Sequence, residues 1–212
     1  MTNSELSKNY WRYYLLLEKR FLETEEYVEI NKRNYKTFSN GFSMLIQAIG
    51  AELDNFFKVY CGYNLQERKT ITDYAGCILN DYPLITTQKV SVIDRDIDLV
   101  PFEKWDNMQP AKSLTWWQVY DDIKHNRHGN IEKANQENTL SMLAALYLLE
   151  MKCFMRFVDI GPDGKPTEPD IPTEESKIFV IDDWNNRYTP LGKTFAIIDG
   201  CYYEIYQKEL DD

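Results

Sequence analysis

Histidine is almost missing from this chain. Only 2 of its 212 residues are histidine, which leaves little room for His-rich metal sites or repeated acid–base pairs. Cysteine is sparse as well: Cys61, Cys77, Cys153 and Cys201 are scattered, with no C-x-x-C pair. That spacing argues against a zinc or disulfide framework and reads as reduced thiols in a cytoplasmic protein. No apolar run approaches the roughly 18–20 residues a membrane span needs, so no membrane is expected. The opening stretch, MTNSELSKNY, has no basic region followed by an apolar one, and no secretion signal is read there. Glycine-rich phosphate loops, a G-x-S-x-G elbow and an H-E-x-x-H helix are also lacking, as is any repeat of 20–50 residues. No cofactor is implied.

Excess positive charge is lacking overall. The formal net charge is −10, which disfavours indiscriminate binding to nucleic acid. The charge is uneven, however. Residues 159–212 hold 13 acidic and 5 basic side chains, whereas residues 1–158 hold 21 and 19. The body is therefore nearly neutral and has room for a local basic patch. What the chain has in quantity is aromatic side chains: 15 tyrosines, 10 phenylalanines and 5 tryptophans. They supply large buried areas for a core.

The periodicity predicts a mainly α fold. Apolar side chains at Tyr10, Tyr14, Leu17, Phe21 and Val28 make one amphipathic helix. Phe42, Leu45, Ile49, Leu53, Phe56 and Tyr60 make a second, with Gly62 as its stop. A short connection implies that the two form an antiparallel hairpin. A shorter helix follows and ends at Pro83. The β-branched stretch QKVSVIDRDIDLVPF, residues 88–102, reads as an irregular hairpin within an insertion at about 85–112. Residues 113–128 are helical again, with Ser113 or Thr115 as the cap. Gly129 ends or bends that helix, and Asn130 caps the next. The last helix carries its stripe on Leu140, Leu143, Ala144, Tyr147, Met151, Phe154 and Val158. Residues 159–176, with 4 of the 8 prolines, read as an acidic linker. From residue 177 the period becomes two, and Asp199-Gly200 marks a hairpin in a small β appendage. The expectation is an antiparallel helical bundle over 1–158, a linker, and an appendage over 177–212.

Both histidines fall in DDIKHNRHGN, residues 121–130. Projected on a helix at about 100° per residue, Trp116, Val119, Tyr120 and Ile123 face the core. Arg127 projects in line with them. Lys124, Trp117, His128 and Asp121 share a flank. His125 lies one turn beyond Asp121, which can orient its imidazole. Cations in a last helical turn also complement the helix dipole, worth about 0.3–1 kcal/mol each, so plain helix termination favours the same residues. A metal site would need further ligands from distant carboxylates. A second unusual residue is Glu52, at the edge of the apolar stripe between Ile49 and Phe56. It needs a partner if buried, and Arg127 is one candidate.

Two long antiparallel helices with an inward acidic residue, then WWQVYDDIKHNR and ANQENTLSMLAALYLLE, resemble the HEPN superfamily of helical domains, common in bacterial toxin–antitoxin and phage-defence systems. The likeness spans roughly residues 1–158, an HEPN-like body. In that family's ribonucleases an Arg precedes a His by a few residues, and the pair acts on the RNA 2′-hydroxyl and phosphate, usually across a dimer. Here His125 precedes Arg127. The resemblance implies a metal-independent endoribonuclease or RNA-binding protein acting as a homodimer. His125 or His128 would be the acid–base group, and Arg127 or Lys124 the phosphate contact. Asn126, Trp117 and Tyr120 would meet substrate, with Glu52 and Asp121 in support. The competing expectation is a non-catalytic helical module that binds an anion or a protein partner. There the β tail, with Trp184 and its tyrosines, would add an interaction surface; in a third expectation the acidic residues 159–212 mimic nucleic acid or cover the basic site of a toxin.

Overall fold

The computed structural model describes residues 1–156, 159–160, 166–168, 172, 174–181, 194–198 and 201–205. Helix α1 (Asn3–Leu6) runs through a π turn (Ser7–Trp11) into α2 (Arg12–Leu22). Thr2 and Glu5 exchange capping hydrogen bonds at its start, which satisfies N–H groups that a helix leaves open. The regular helix stops at Leu22, and a tighter turn, Glu23–Glu26, takes the chain away before Val28. Helix α3 (Asn40–Tyr60) starts where Ser39 Oγ accepts the Phe42 N–H at 3.0 Å. It ends as expected at Gly62, whose φ of 69° suits a residue without a side chain. Helix α4 (Ile71–Asp81) begins with a Thr70–Asp73 capping box and stops before Pro83.

Strands β1 (Val90–Val92) and β2 (Asp98–Leu99) form the expected hairpin, with Val90 opposite Leu99. Helix α5 (Pro110–Ser113) leads into α6 (Thr115–Asn126). Neither Ser113 nor Thr115 caps α6. Leu114 holds that position without a side-chain bond, and Ser113 Oγ instead accepts the Asp106 N–H. A 3-10 turn (His128–Lys133) then leads to α7 (Gln136–Met155). Asn135 caps α7, accepting the Asn138 N–H at 3.0 Å. Asn130 does something else: its amide donates to the Asp122 and Asn126 carbonyls and closes the end of α6.

Aromatic contacts set the helix directions. Tyr10 meets Phe56, and Phe21 meets Phe42, so α2 and α3 are antiparallel. Trp11 meets Phe154 and Tyr14 meets Tyr147, so α2 is also antiparallel to α7. Trp117 lies on Phe57, and Arg127 reaches Asn40, so α6 runs against α3. Helix α7 is the centre: 15 of its 20 residues are buried. Its polar and apolar residues alike face protein, which is why a single apolar stripe understates it. Of that stripe, Val158 lies outside the described residues.

The carboxyl-terminal segment enters this core. Strand β5 (Phe179–Val180) pairs with β1 in a three-stranded antiparallel sheet ordered β2-β1-β5. Ile178, Phe179 and Ile181 are buried, and the Phe179 ring lies 5.5 Å from Tyr147. Ser176, just before this stretch, is buried as well, while Lys177 between them is exposed. Strands β3 (Asp159–Ile160) and β4 (Pro166–Glu168) pair with each other. So do β6 (Thr194–Ile198) and β7 (Cys201–Ile205), where Ile198 opposite Cys201 leaves the two-residue connection that Asp199-Gly200 suggests. Trp184, Asp199, Gly200 and most of the proline-rich stretch lie outside the described residues. No helix among the described residues is long and apolar enough to cross a membrane.

Candidate functional site

The knot at 121–130 is positioned by the aromatic side of α6. Trp116 Nε1 donates to the Pro101 carbonyl at 2.6 Å. Tyr120 packs on the backbone of α3 at Gly50, and Trp117, half-buried, lies 5.7 Å from Phe57 and 5.5 Å from Tyr120. These contacts fix the roll of α6 and push Lys124, His125 and the helix end into solvent. Tyr120 itself is buried, so its ring supports the site from beneath.

Lys124, His125, Asn126, Arg127 and His128 are all exposed. Arg127 is the correction to the helical projection. Arg127 keeps helical backbone angles (φ −54°, ψ −44°) as the residue after α6, but the core does not extend that far along the helix, and its side chain is exposed where it reaches α3. Arg127 Nη1 donates to Asn40 Oδ1 at 2.8 Å. Asn40 is the first residue of α3, where the unpaired N–H groups and the helix dipole place partial positive charge. His125 Nε2 lies 3.3 Å from Asp121 Oδ1, the predicted one-turn pairing. Lys124 Nζ stands 5.3 Å from the Tyr120 ring centroid. Asn126 turns back to accept the Gly129 N–H at 3.1 Å. Four cationic or titratable side chains are thus exposed within five residues at the end of α6, with Asp121 the carboxylate paired with one of them.

A larger groove of about 690 Å³ lies along the other flank of α6, lined by Gln118, Val119, Asp122 and Lys133, among others. Its three lysines, Lys36, Lys104 and Lys133, face four carboxylates, with Lys133 paired to Asp122 at 2.7 Å and Lys36 to Glu137 at 2.6 Å. The histidines do not line it. Charge available to an anion therefore sits at the end of α6 rather than in the groove.

Glu52 does not join the knot, and Arg127 is not its partner. Twelve residues of α3 separate Glu52 from Asn40, about 18 Å along the axis. Glu52 is half-buried among Tyr10, Phe56 and a carboxyl the sequence reading missed, Glu150 of α7. Burial raises the pKa of Glu52, partly offset by a hydrogen bond with Asn55. Glu150 is fully buried, and neither of its oxygens has a hydrogen-bond partner among the described residues. Burial, and then the like charge of Glu52, hold its pKa well above the usual carboxylate range. Glu150 lies seven residues after Leu143, three after Tyr147 and four before Phe154, so the period of the apolar stripe was the signal that could have found it.

Glu18 was missed too. It lies among apolar neighbours in α2 and accepts hydrogen bonds from Tyr14, Ser176 and the Lys177 and Ile178 N–H groups. Trp11 Nε1 adds a bond to the Glu174 carbonyl at 2.7 Å. This carboxylate ties the first helix to the last described part of the core.

Among the described residues, no three His, Cys, Asp or Glu side chains are grouped to hold a metal ion. The chain matches no known family model, no curated protein and no solved structure.

Proposed function

We propose that this is an HEPN-like RNA-binding protein that contacts phosphate through the corner formed by the end of α6 and the start of α3. One observation carries the reading: Lys124, His125, Arg127 and His128 are each exposed within five residues of one another, with Arg127 oriented by Asn40. Arginine and lysine held on a preformed surface suit phosphate oxygens, and a helix amino terminus favours the same charge. The nearly neutral body lets that patch act locally despite the acidic total. Fluorescence anisotropy with a labelled single-stranded RNA tests it. Lys124→Ala/Arg127→Ala is expected to weaken binding at least tenfold with an unchanged circular dichroism spectrum. Equal affinity for both proteins would remove the reading.

A second reading, endoribonuclease, is favoured by the His125–Asp121 pair. The carboxylate can orient the imidazole for proton transfer to or from the 2′-oxygen and the leaving 5′-oxygen. Arg127 and Lys124 would neutralise the developing phosphate charge. The exposed corner on one chain has no enclosing wall, so this reading requires a homodimer that apposes two corners. Such an enzyme would fit a role in phage defence or toxin–antitoxin function. RNA incubated with the protein in chelator should be cut, and His125→Ala/His128→Ala should abolish cutting. Binding without cutting, in a monomer, would leave the protein as a non-catalytic RNA-binding module.

A further inference from the structure

A second pocket, of about 280 Å³, lies along α2, and no residue of α6 lines it. Two ties form its far side. Trp11 Nε1 donates to the Glu174 carbonyl at 2.7 Å, and the Lys177 and Ile178 N–H groups donate to Glu18 at 3.1 and 3.3 Å. These bonds lay residues 174–178 along the two turns of helix from Trp11 to Glu18. The apolar wall of the pocket is Leu15, Leu16 and Leu22, of which Leu16 is 58% exposed. Its cations are Arg12 and Lys19 of α2 and Lys177 of the facing segment, all three exposed. Steps of three and four residues put Arg12, the leucines and Lys19 on one side of α2. Arg12 and Lys19 stand about 10 Å apart along its axis, with Leu15 and Leu16 between them. Among the described residues none of these three cations is in an ion pair, whereas neighbouring Arg20 pairs with Glu23. Two carboxylates also line the pocket. Glu18 is 2% exposed and is already bonded by Tyr14, Ser176 and two backbone N–H groups. Glu174 is exposed. Three unpaired cations therefore share the pocket with one open carboxylate.

We propose that this pocket binds a small aliphatic carboxylate, an alkyl chain of medium length ending in one negative charge. The chain lies on Leu15, Leu16 and Leu22, and the head group meets the cations. Arg12 offers the forked N–H donors that match a carboxylate, and Lys19 and Lys177 add charge. Apolar surface rimmed by charge marks a ligand groove, whereas a single exposed leucine would not. An inorganic anion would gain nothing from three leucines, and a neutral hydrocarbon nothing from three unpaired cations. The volume, near the lower end of the roughly 300–1,000 Å³ usual for small-molecule pockets, suits a short chain rather than a long lipid. A ligand there touches both α2 and residues 174–178. It strengthens from outside the joint that Glu18 and Ser176 make from within, and so stabilises the folded chain.

The test is calorimetric titration of the full chain with hexanoate, octanoate and decanoate, beside octanol, acetate and inorganic phosphate. The expected result is one saturable site whose affinity rises about two- to fourfold per added methylene. Octanol should bind at least tenfold more weakly than octanoate, and acetate and phosphate should give no saturable heat. Arg12→Ala/Lys177→Ala and Leu16→Ser should each weaken octanoate at least tenfold. These side chains are exposed, so the urea midpoints of the ligand-free variants should match the parent. Hydrogen exchange at residues 176–180 should slow when octanoate is bound. Octanol as tight as octanoate, phosphate as tight as octanoate, no binding of any carboxylate, or uptake unchanged in both variants would each overturn the proposal. Lys124→Ala/Arg127→Ala should bind octanoate like the parent, so this site and the α6 corner stand or fall separately.

Discussion

The Tyr120 ring lies so close to Gly50 that a Cβ there would stand 2.2 Å from its Cδ2. Helices α3 and α6 touch at this point because one contributes no side chain and the other a flat one. Gly50→Ala therefore forces the two helices apart or turns the ring. The expected cost is about 1–3 kcal/mol, typical of overpacking, read as a lower urea midpoint. A variant as stable as the parent would show that the contact has slack. Because Tyr120 supports the exposed corner, Gly50→Ala should also weaken RNA binding.

Glu150 gives stability an unusual pH dependence. A carboxyl whose pKa is raised in the folded state keeps its proton there while the unfolded chain releases it. Its contribution is full below the ordinary carboxyl range and is lost as pH rises toward the raised value. The slope is at most about 1.4 kcal/mol per pH unit. Glu52, also raised, acts in the same direction. Glu150→Gln cannot ionise, so it should match the parent near about pH 5 and exceed it near about pH 8 in urea unfolding. A parent more stable than the variant at the higher pH would contradict this.

Ser176 is the joint between the first helix and strand β5. Its hydroxyl donates to Glu18 and accepts the Phe179 and Ile178 N–H groups at 2.9 and 3.2 Å. Ser176→Ala leaves buried donors and a buried carboxylate short of a partner, at an expected cost of about 2–3 kcal/mol. Hydrogen exchange should show the loss first in β5 and the start of α2. A uniform change across the chain, or none, would mean that the joint is not where the segment is held.

Asn40 separates orientation from charge at the proposed RNA site. Asn40→Ala removes the acceptor that fixes Arg127 and leaves every cation in place. RNA affinity should fall, though by less than with Arg127→Ala, while the salt dependence stays that of the parent. An Asn40→Ala loss as large as the Arg127→Ala loss would shift the contact to Asn40 itself.

The helices were legible because their apolar periods and stops are local. Gly62 and Pro83 terminate α3 and α4 as read, and the β1–β2 hairpin falls inside the irregular stretch. Capping was read less well: Asn130 and Asn135 are both good candidates, and the choice depended on where the 3-10 turn ended. Arg127 keeps the helical backbone and the α3 side that the projection gave it, yet is exposed, since a projection gives direction and not how far along α6 the core extends. The pairing of Glu18 with Ser176 spans 158 residues, and nothing local announces a contact of that range. Glu150 falls on the Leu143–Tyr147–Phe154 spacing of α7, a local signal that was overlooked.

The most direct measurement is the salt dependence of RNA affinity for the parent and Lys124→Ala/Arg127→Ala. Each phosphate contact on a single strand contributes about 0.7 to the slope of log affinity against log salt. Two lost contacts should make the slope shallower by about 1.4. An unchanged slope, or RNA affinity too weak to measure in the parent at low salt, would contradict a phosphate-binding corner at the end of α6.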